Sequence, residues 1–414
     1  MSGMKARIVY ESPSGVFIPG QNICGSVIIE LTEHVLIRSI MLFVVGKSHT
    51  NWECFSHYFN HFNDATKKQE KKPETNHIHG NEVYVDDKSI IFDRQDGETL
   101  SAGTHKFDFV FSLPCNCPPS YEGQVGYNRY YCKAKIIRPR KPEKAVLSGF
   151  TVLPPFDLNT IHYASSPVIK EESKNLGFII KQGQLDVKVR IQKFGFVPGE
   201  SIDIRVDINN KSLLKVDDIE AKLMENSIFE GYCSHYSRHQ ANKKYNRTID
   251  RIKKEVNIRA RKTGNESLTL RIPAIVPSFN NCRIIQVNYT LKVKIEAHGY
   301  MNDSIDFEFP ILIGTHPTEQ TSSRSPSPRP SISASFLEVS NSRFLTPPAS
   351  PFLGAFEPPP SYEESMFGRG NMALHDEEDA SSDCLNFAPR YLYYNNNTRS
   401  HSYSRSSGPI EFEK

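Results

Sequence analysis

The chain has 414 residues, of which 23% are charged and 38% hydrophobic, with a net charge of +3. That length has room for two or three domains with ample core. No run approaches 18 apolar residues, which excludes a spanning helix, and residues 1–10 lack the apolar stretch of a secretion signal. The charge is unevenly spread. From Thr315 onward there are 8 Lys/Arg against 12 Asp/Glu, so the tail is acidic and the rest is basic. A modestly basic body suits anionic membrane surfaces or acidic receptor tails, and equally ordinary solvated strand faces. Eight cysteines (24, 54, 115, 117, 132, 233, 282 and 384) without a secretion signal predict mostly free thiols and a cytosolic compartment. Asn246-Arg247-Thr248 is then no glycosylation acceptor, and Glu411–Lys414 offers no prenylation cysteine.

In chain order, Phe17-Ile18-Pro19-Gly20 comes first. Pro-Gly suits a type II turn, with proline presetting φ and glycine taking the φ > 0 position. Behind it Ile23, Gly25, Val27, Ile29 and Leu31 alternate with Cys24, Ser26, Ile28 and Glu30, which predicts a strand with one buried face. The same pattern recurs at Phe196-Val197-Pro198-Gly199, followed by Ile202, Ile204, Val206 and Ile208. A second echo links Tyr130, Lys133, Lys135 and Ile136 to Tyr289, Lys292, Lys294 and Ile295, each behind a Pro-Ser-aromatic turn. The chain is therefore a tandem repeat. The first copy carries about twenty extra residues, best placed between Trp52 and Gly80 and expected as a polar loop. Trp52 is expected at a strand end. Further alternation at Leu185–Ile191, Val287–Ile295 and Ile305–Phe309, with no long stretch of helical period, predicts an all-β body of two related antiparallel sandwiches.

These motifs, with Leu100–Phe107 leading to Phe109–Pro114, Phe156-Asp157-Leu158-Asn159 and the closing Ile311–Thr315, resemble the arrestin fold over roughly residues 5–317. The resemblance is to the alpha-arrestins, the arrestin-domain-containing proteins. It implies two tandem arrestin-like (immunoglobulin-like) sandwiches at residues 5–156 and 181–316, a linker at 157–180, and a disordered Pro/Ser-rich tail at 317–414. The tail's own composition, with little apolar surface, predicts disorder as well. Ser325, Ser327, Thr346 and Ser350 each precede proline and are candidate phosphorylation sites.

Within the tail, Glu357-Pro358-Pro359-Pro360-Ser361-Tyr362 is the candidate functional motif. Consecutive prolines preform a polyproline II ridge, and Pro-Pro-x-Tyr is the ligand pattern of WW domains. Pro359, Pro360 and Tyr362 are the expected contacts. Relatives often carry two such motifs; a single one implies a monovalent contact. Pro118-Pro119-Ser120-Tyr121 matches formally, but its repeat counterpart Val276-Pro277-Ser278-Phe279 keeps the ring and loses the motif, so Tyr121 is expected to pack. Lys133, Lys135, Arg138, Arg140 and Lys141 form the densest basic run and are candidate contacts for acidic cargo or lipid, although lysines alternating on a strand are ordinarily its wet face. Cys54, His57, His61, His77 and His79 lack a zinc spacing and are expected as solvated loop residues. Nothing near Cys233 or Cys282 marks a lowered thiol pKa. No nucleophile elbow, phosphate loop, dinucleotide fingerprint or metalloprotease motif occurs. The expectation is a non-enzymatic cytosolic adaptor, without cofactor, metal or nucleic-acid partner. It would hold membrane receptors or transporters beside a WW-domain HECT-type ubiquitin ligase and be recruited peripherally to plasma membrane and endosomes. The competing expectation is a trafficking or coat scaffold that acts without a ligase.

Overall fold

The computed structural model describes residues 3–63, 68–177, 180–233, 240–298, 304–318, 373–374, 385–386 and 388–394. The first sandwich is built from β1 (Met4–Tyr10), β2 (Val16–Phe17), β3 (Asn22–Leu31), β4 (Val35–Asn63), β5 (Lys68–Leu100), β6 (Gly103–Ser112), β7 (Tyr121–Glu122), β8 (Gly126–Ile137) and β9 (Lys144–Val152). A 3-10 turn at Leu158–Thr160 follows. The second sandwich comprises β10 (Val168–Leu176), β11 (Gly183–Ile191), β12 (Gly195–Phe196), β13 (Ser201–Asn210), β14 (Val216–Cys233), β15 (Gln240–Ile258), β16 (Lys262–Arg271), β17 (Ile285–Ala297) and β18 (Ser304–Ile313). Two short strands, β19 (Ala373–Leu374) and β20 (Leu385–Asn386), pair with each other.

The alternation behind each Pro-Gly turn does what a half-buried strand requires. Ile23, Val27 and Ile29 are fully buried in one core, and Ile202, Ile204 and Val206 in the other. Gly20 and Gly199 have φ of 86° and 94°, and Gln21 and Glu200 donate back across the turns to Ile18 and Val197, each at 3.1 Å. Phe17 and Phe196 then pair in parallel with Val152 and Ile313, the ends of the last strands of their sandwiches. The second echo is equally physical. Tyr130 donates to the Pro118 carbonyl and Tyr289 to the Val276 carbonyl, both at 2.8 Å, so each phenol ties its strand to the preceding turn.

The sheets show what the repeat does not. β1-β3-β6 faces one core and β10-β11-β13-β16 the other, but the opposite layers are not separate. They form one sheet of eleven strands running β12-β18-β17-β14-β5-β4-β8-β9-β2, with β15 on β14 and β7 on β8. The junction is antiparallel pairing of Tyr232 with His79 and Cys233 with Ile78. Thr50 adds a hydrogen bond to the Glu230 carbonyl at 2.7 Å.

Three expectations are corrected here. The stretch between Trp52 and Gly80 is not a loop: β4 and β5 run through it, Trp52 opposite Ile78 and Asn63 opposite Lys68. The extra residues lengthen a hairpin, giving strands of 29 and 33 residues where the second copy has 18 and 19. Ladder hydrogen bonds need no apolar face, so a polar sequence can extend them silently. Trp52 accordingly lies within β4 rather than at its end, buried among residues of the second core. The expected linker 157–180 contains β10, which pairs with β11 from Val168 opposite Ile191 to Leu176 opposite Gly183. It is an edge strand with mostly exposed side chains, which erased the alternation.

Candidate functional site

Pro359, Pro360 and Tyr362 lie outside the described residues, as do Ser325, Ser327, Thr346 and Ser350. The other Pro-Pro-x-Tyr copy is consumed by the fold. Tyr121 is 1% exposed. Ser120 exchanges two hydrogen bonds with Val152, its amide donating at 2.8 Å and its hydroxyl accepting at 2.9 Å. Ser278 repeats both bonds with Ile313, at 2.8 and 3.0 Å. Pro-Ser-aromatic is thus a latch that closes each sandwich on its last strand.

The basic run divides. Lys133 sits on β8 between Phe43 of β4 and Leu147 of β9 and is 5% exposed, so this interior-strand lysine is withdrawn from the surface and cannot serve as a cargo or lipid contact. Lys135 is half-buried, with its ammonium 5.5 Å from the centroid of the Phe43 ring. Arg138 donates to the Pro142 carbonyl at 2.7 Å and helps close the turn that exposes Arg140 and Lys141. Arg140 has φ of 59° there.

The residues that come together most closely lie at the seam between the sandwiches. Glu225 of β14 is 2% exposed and pairs with Arg247 of β15 at 2.8 Å. The Tyr121 hydroxyl, from the first sandwich, donates to Glu225 Oε1 at 3.0 Å, and Ser227 reaches the same oxygen at 3.2 Å. The Tyr289 phenol lies 3.4 Å from Oε2. Burial of the carboxylate is therefore offset by an ion pair and several hydroxyls, as a buried charge requires.

Beside this cluster runs Ala388–Tyr394, a piece of the tail. Tyr391 is 1% exposed and its hydroxyl donates to the Ser120 carbonyl at 2.9 Å. Arg390 donates through its amide to Thr151 Oγ1 at 3.0 Å and through its guanidinium to the Ser14 carbonyl at 3.3 Å. Tyr394 donates through its amide to the Pro198 carbonyl at 2.9 Å and through its hydroxyl to the Thr315 carbonyl at 2.6 Å. The Arg271 guanidinium stands 5.3 Å from the centre of the Tyr393 ring. Burial first, then the nearby Glu225 and Glu122 carboxylates, pushes the Tyr391 phenol well above its ordinary pKa. Within the tail, Ala388–Tyr394 is a described stretch that contacts the body. The visible signal was Ala388-Pro389-Arg390-Tyr391-Leu392-Tyr393-Tyr394, a compact aromatic run that composition averaged over the whole tail concealed.

Among the described residues no group of three or more His, Cys, Asp or Glu is placed to hold a metal ion. The seven described cysteines form no disulfide. Burial pushes the Cys117 thiol up to about 11 and the Cys132 thiol up to about 12, and it raises Cys282 as well. At pH 8 a thiol of pKa 12 is about one part in ten thousand thiolate. Iodoacetamide at that pH is therefore expected to modify exposed Cys54 and Cys115 in the native protein, and to reach Cys117, Cys132 and Cys282 only after unfolding. Peptide mass mapping checks this, and native labelling of Cys132 ahead of Cys115 contradicts it.

Comparison with known proteins places this geometry. The family profile for the N-terminal domain of arrestin (or S-antigen) matches residues 6–159, and that for the C-terminal domain matches residues 181–318. Arrestin domain-containing protein 17 of Caenorhabditis elegans is 25% identical over 434 residues, covering 94% of this chain and 98% of that protein. Human arrestin domain-containing protein 4 is 26% identical over 369 residues, covering 86% and 80%. Human thioredoxin-interacting protein is 22% identical over 398 residues, covering 94% and 91%.

Proposed function

Because this chain belongs to the arrestin family, among its arrestin-domain-containing or alpha-arrestin members, we propose that it is an adaptor joining membrane receptors or transporters to a WW-domain HECT-type ubiquitin ligase. In this reading residues 5–156 and 181–316 form the platform that meets cargo, and Pro359, Pro360 and Tyr362 engage the WW domain. The adaptor makes and breaks no bond. It holds the ligase beside the cargo, raising the effective concentration of one at the other, so that cargo lysines are ubiquitinated and the cargo is internalised and sorted. Arg140 and Lys141, on their exposed turn, are the members of the basic run placed to meet an acidic cargo tail or an anionic lipid surface. Tail phosphorylation at Ser325, Ser327, Thr346 or Ser350 would add negative charge to the tail and alter its contacts with the basic body.

The observation that carries this reading is the contrast between the two Pro-Pro-x-Tyr copies. Residues 118–121 are locked into the body by Ser120 and Tyr121, whereas residues 359–362 fall beyond the family-matched region, which ends at 318. A tyrosine that fills a WW pocket behaves as an interface hot spot, contributing about 2 kcal/mol or more. Tyr362→Ala in the full chain is expected to weaken WW-domain binding about thirtyfold. Equal binding by wild type and variant in a calorimetric titration would remove the ligase from the account and leave the scaffold reading. Deleting everything after Thr315 is the poorer test, because it also strips Arg390–Tyr394 from the seam.

A further inference from the structure

We propose that the seam between the two sandwiches is a binding groove for an extended Arg-Tyr-x-x-Tyr segment, and that the chain fills it in cis with its own Arg390–Tyr394. The proposal stands independently of the ligase.

The groove is built rather than accidental. Its contacts divide between the sandwiches: Arg390 and Tyr391 meet Ser14, Ser120 and Thr151 of the first, and Tyr393 and Tyr394 meet Pro198, Arg271 and Thr315 of the second. Two of the residues that accept from the segment's phenols are themselves held by other bonds. Ser120 is latched to Val152, and Thr315 exchanges hydrogen bonds with Phe156. The groove is thus preformed by the features that close the two repeats. Tyr391 supplies a large rigid side chain with few torsions to fix, seated with its hydroxyl satisfied, which is the chemistry of an interface anchor. Arg390 stays exposed at its edge.

Close approach makes the fit specific. An added Cβ at Gly199 would stand 2.1 Å from the Tyr394 carbonyl oxygen and 2.7 Å from its nitrogen. The Pro-Gly turn that opens the second sandwich therefore also leaves room for the segment's backbone. Its counterpart at Gly20 meets only the Cys115 sulfur within 4 Å, so this use belongs to one repeat alone.

Connectivity selects the cis occupant. Residues 319 to 387, 69 in all, join Thr318 to Ala388. Both ends return to one place, since Thr315 on the body accepts from Tyr394. With both ends held at one place, a connection of 69 residues supplies an effective concentration of about a millimolar. A segment with micromolar intrinsic affinity is then bound in nearly every molecule, and an identical free peptide competes on the order of a thousandfold more weakly than it would for an empty groove. Docking braces the two sandwiches against one another, and it tethers the intervening residues 319–387 at both ends.

The test uses the full chain and a fluorescein-labelled synthetic peptide of residues 385–397. By fluorescence anisotropy, the double variant Tyr391→Ala with Tyr394→Ala is expected to take up the peptide, and wild type to bind it at least a hundredfold more weakly. The same peptide carrying Tyr391→Ala should bind neither. Equal uptake by wild type and variant, or no uptake by a variant whose circular dichroism and melting are native-like, overturns the proposal. Should the variant not fold, a protease site inserted after Gly370 gives the second measurement. After cleavage the freed fragment should stay with the body on gel filtration and be chased off by excess unlabelled peptide. A fragment that separates at once overturns the groove. A wild-type chain whose mass doubles with concentration, and which exchanges the segment between copies, overturns occupancy in cis.

Discussion

Replacing Arg247 by methionine is expected to lower the unfolding free energy by about 3 kcal/mol, read as a shift of the urea midpoint at constant slope. The reason is asymmetric. Arg247 itself is partly exposed, with 21% of its side-chain surface accessible, but its partner Glu225 is at 2%. Removing the guanidinium leaves a buried carboxylate in the seam that still accepts from the hydroxyls of Tyr121 and Ser227, while the Tyr289 proton is committed to the Val276 carbonyl. Those donors hold the loss at the lower end of what breaking a buried pair costs, about 3–5 kcal/mol. The double variant Glu225→Leu with Arg247→Met should recover most of the stability, since no charge is then buried alone. A double-mutant cycle separates the pair from its surroundings. A single-variant loss under about 1 kcal/mol would mean that water reaches Glu225 and that the seam is not sealed there.

The second large effect is expected at the junction of the sheets. A Cβ at Gly231 would lie 2.8 Å from Ile78 Cγ2 and 3.0 Å from both the carbonyl carbon and the oxygen of His79. Two of those contacts are backbone, which cannot rotate away. Gly231→Val should therefore push β14 from β5 where Tyr232 meets His79, at a cost of about 1–3 kcal/mol. Its more telling consequence is for cooperativity. With the junction intact the two sandwiches share a sheet, and Trp52, Ile78 and Tyr121 of the first pack in the core of the second, so one calorimetric transition is expected. With the junction opened, two transitions should separate. A single unchanged transition in the variant would show that the seam network and the Thr315–Phe156 bonds suffice to couple the halves without strand pairing.

These two sites share a property with the docked tail segment: each joins the sandwiches, and in none did the sequence name the partner. Glu225 and Arg247 are unremarkable members of charged, alternating strands until the fold buries one of them. Tyr391 sits 271 residues from the carbonyl it reaches. Lys133 shows the converse. Alternating lysines on a strand suggest its wet face, yet Lys133 and Tyr131 on that face are covered, which a period of two cannot report.

The amino-acid sequence by itself determined that the body is all-β, that it is duplicated, and where each copy opens and closes. Those facts are local. Proline-glycine geometry, one-sided burial and a phenol bonding to a turn a dozen residues away all act within a short span of chain, so they leave a repeated spacing. The tertiary structure alone decided that the two copies share one sheet, that the twenty extra residues extend a hairpin, and that a few residues of the tail lie in the seam. Strand edges meet through backbone groups that every residue carries, and a lone charge or tyrosine acquires its partner only when distant strands converge. Side-chain order along the chain can mark a segment, as the aromatic run at 388–394 does, but it holds no record of the partner that segment meets.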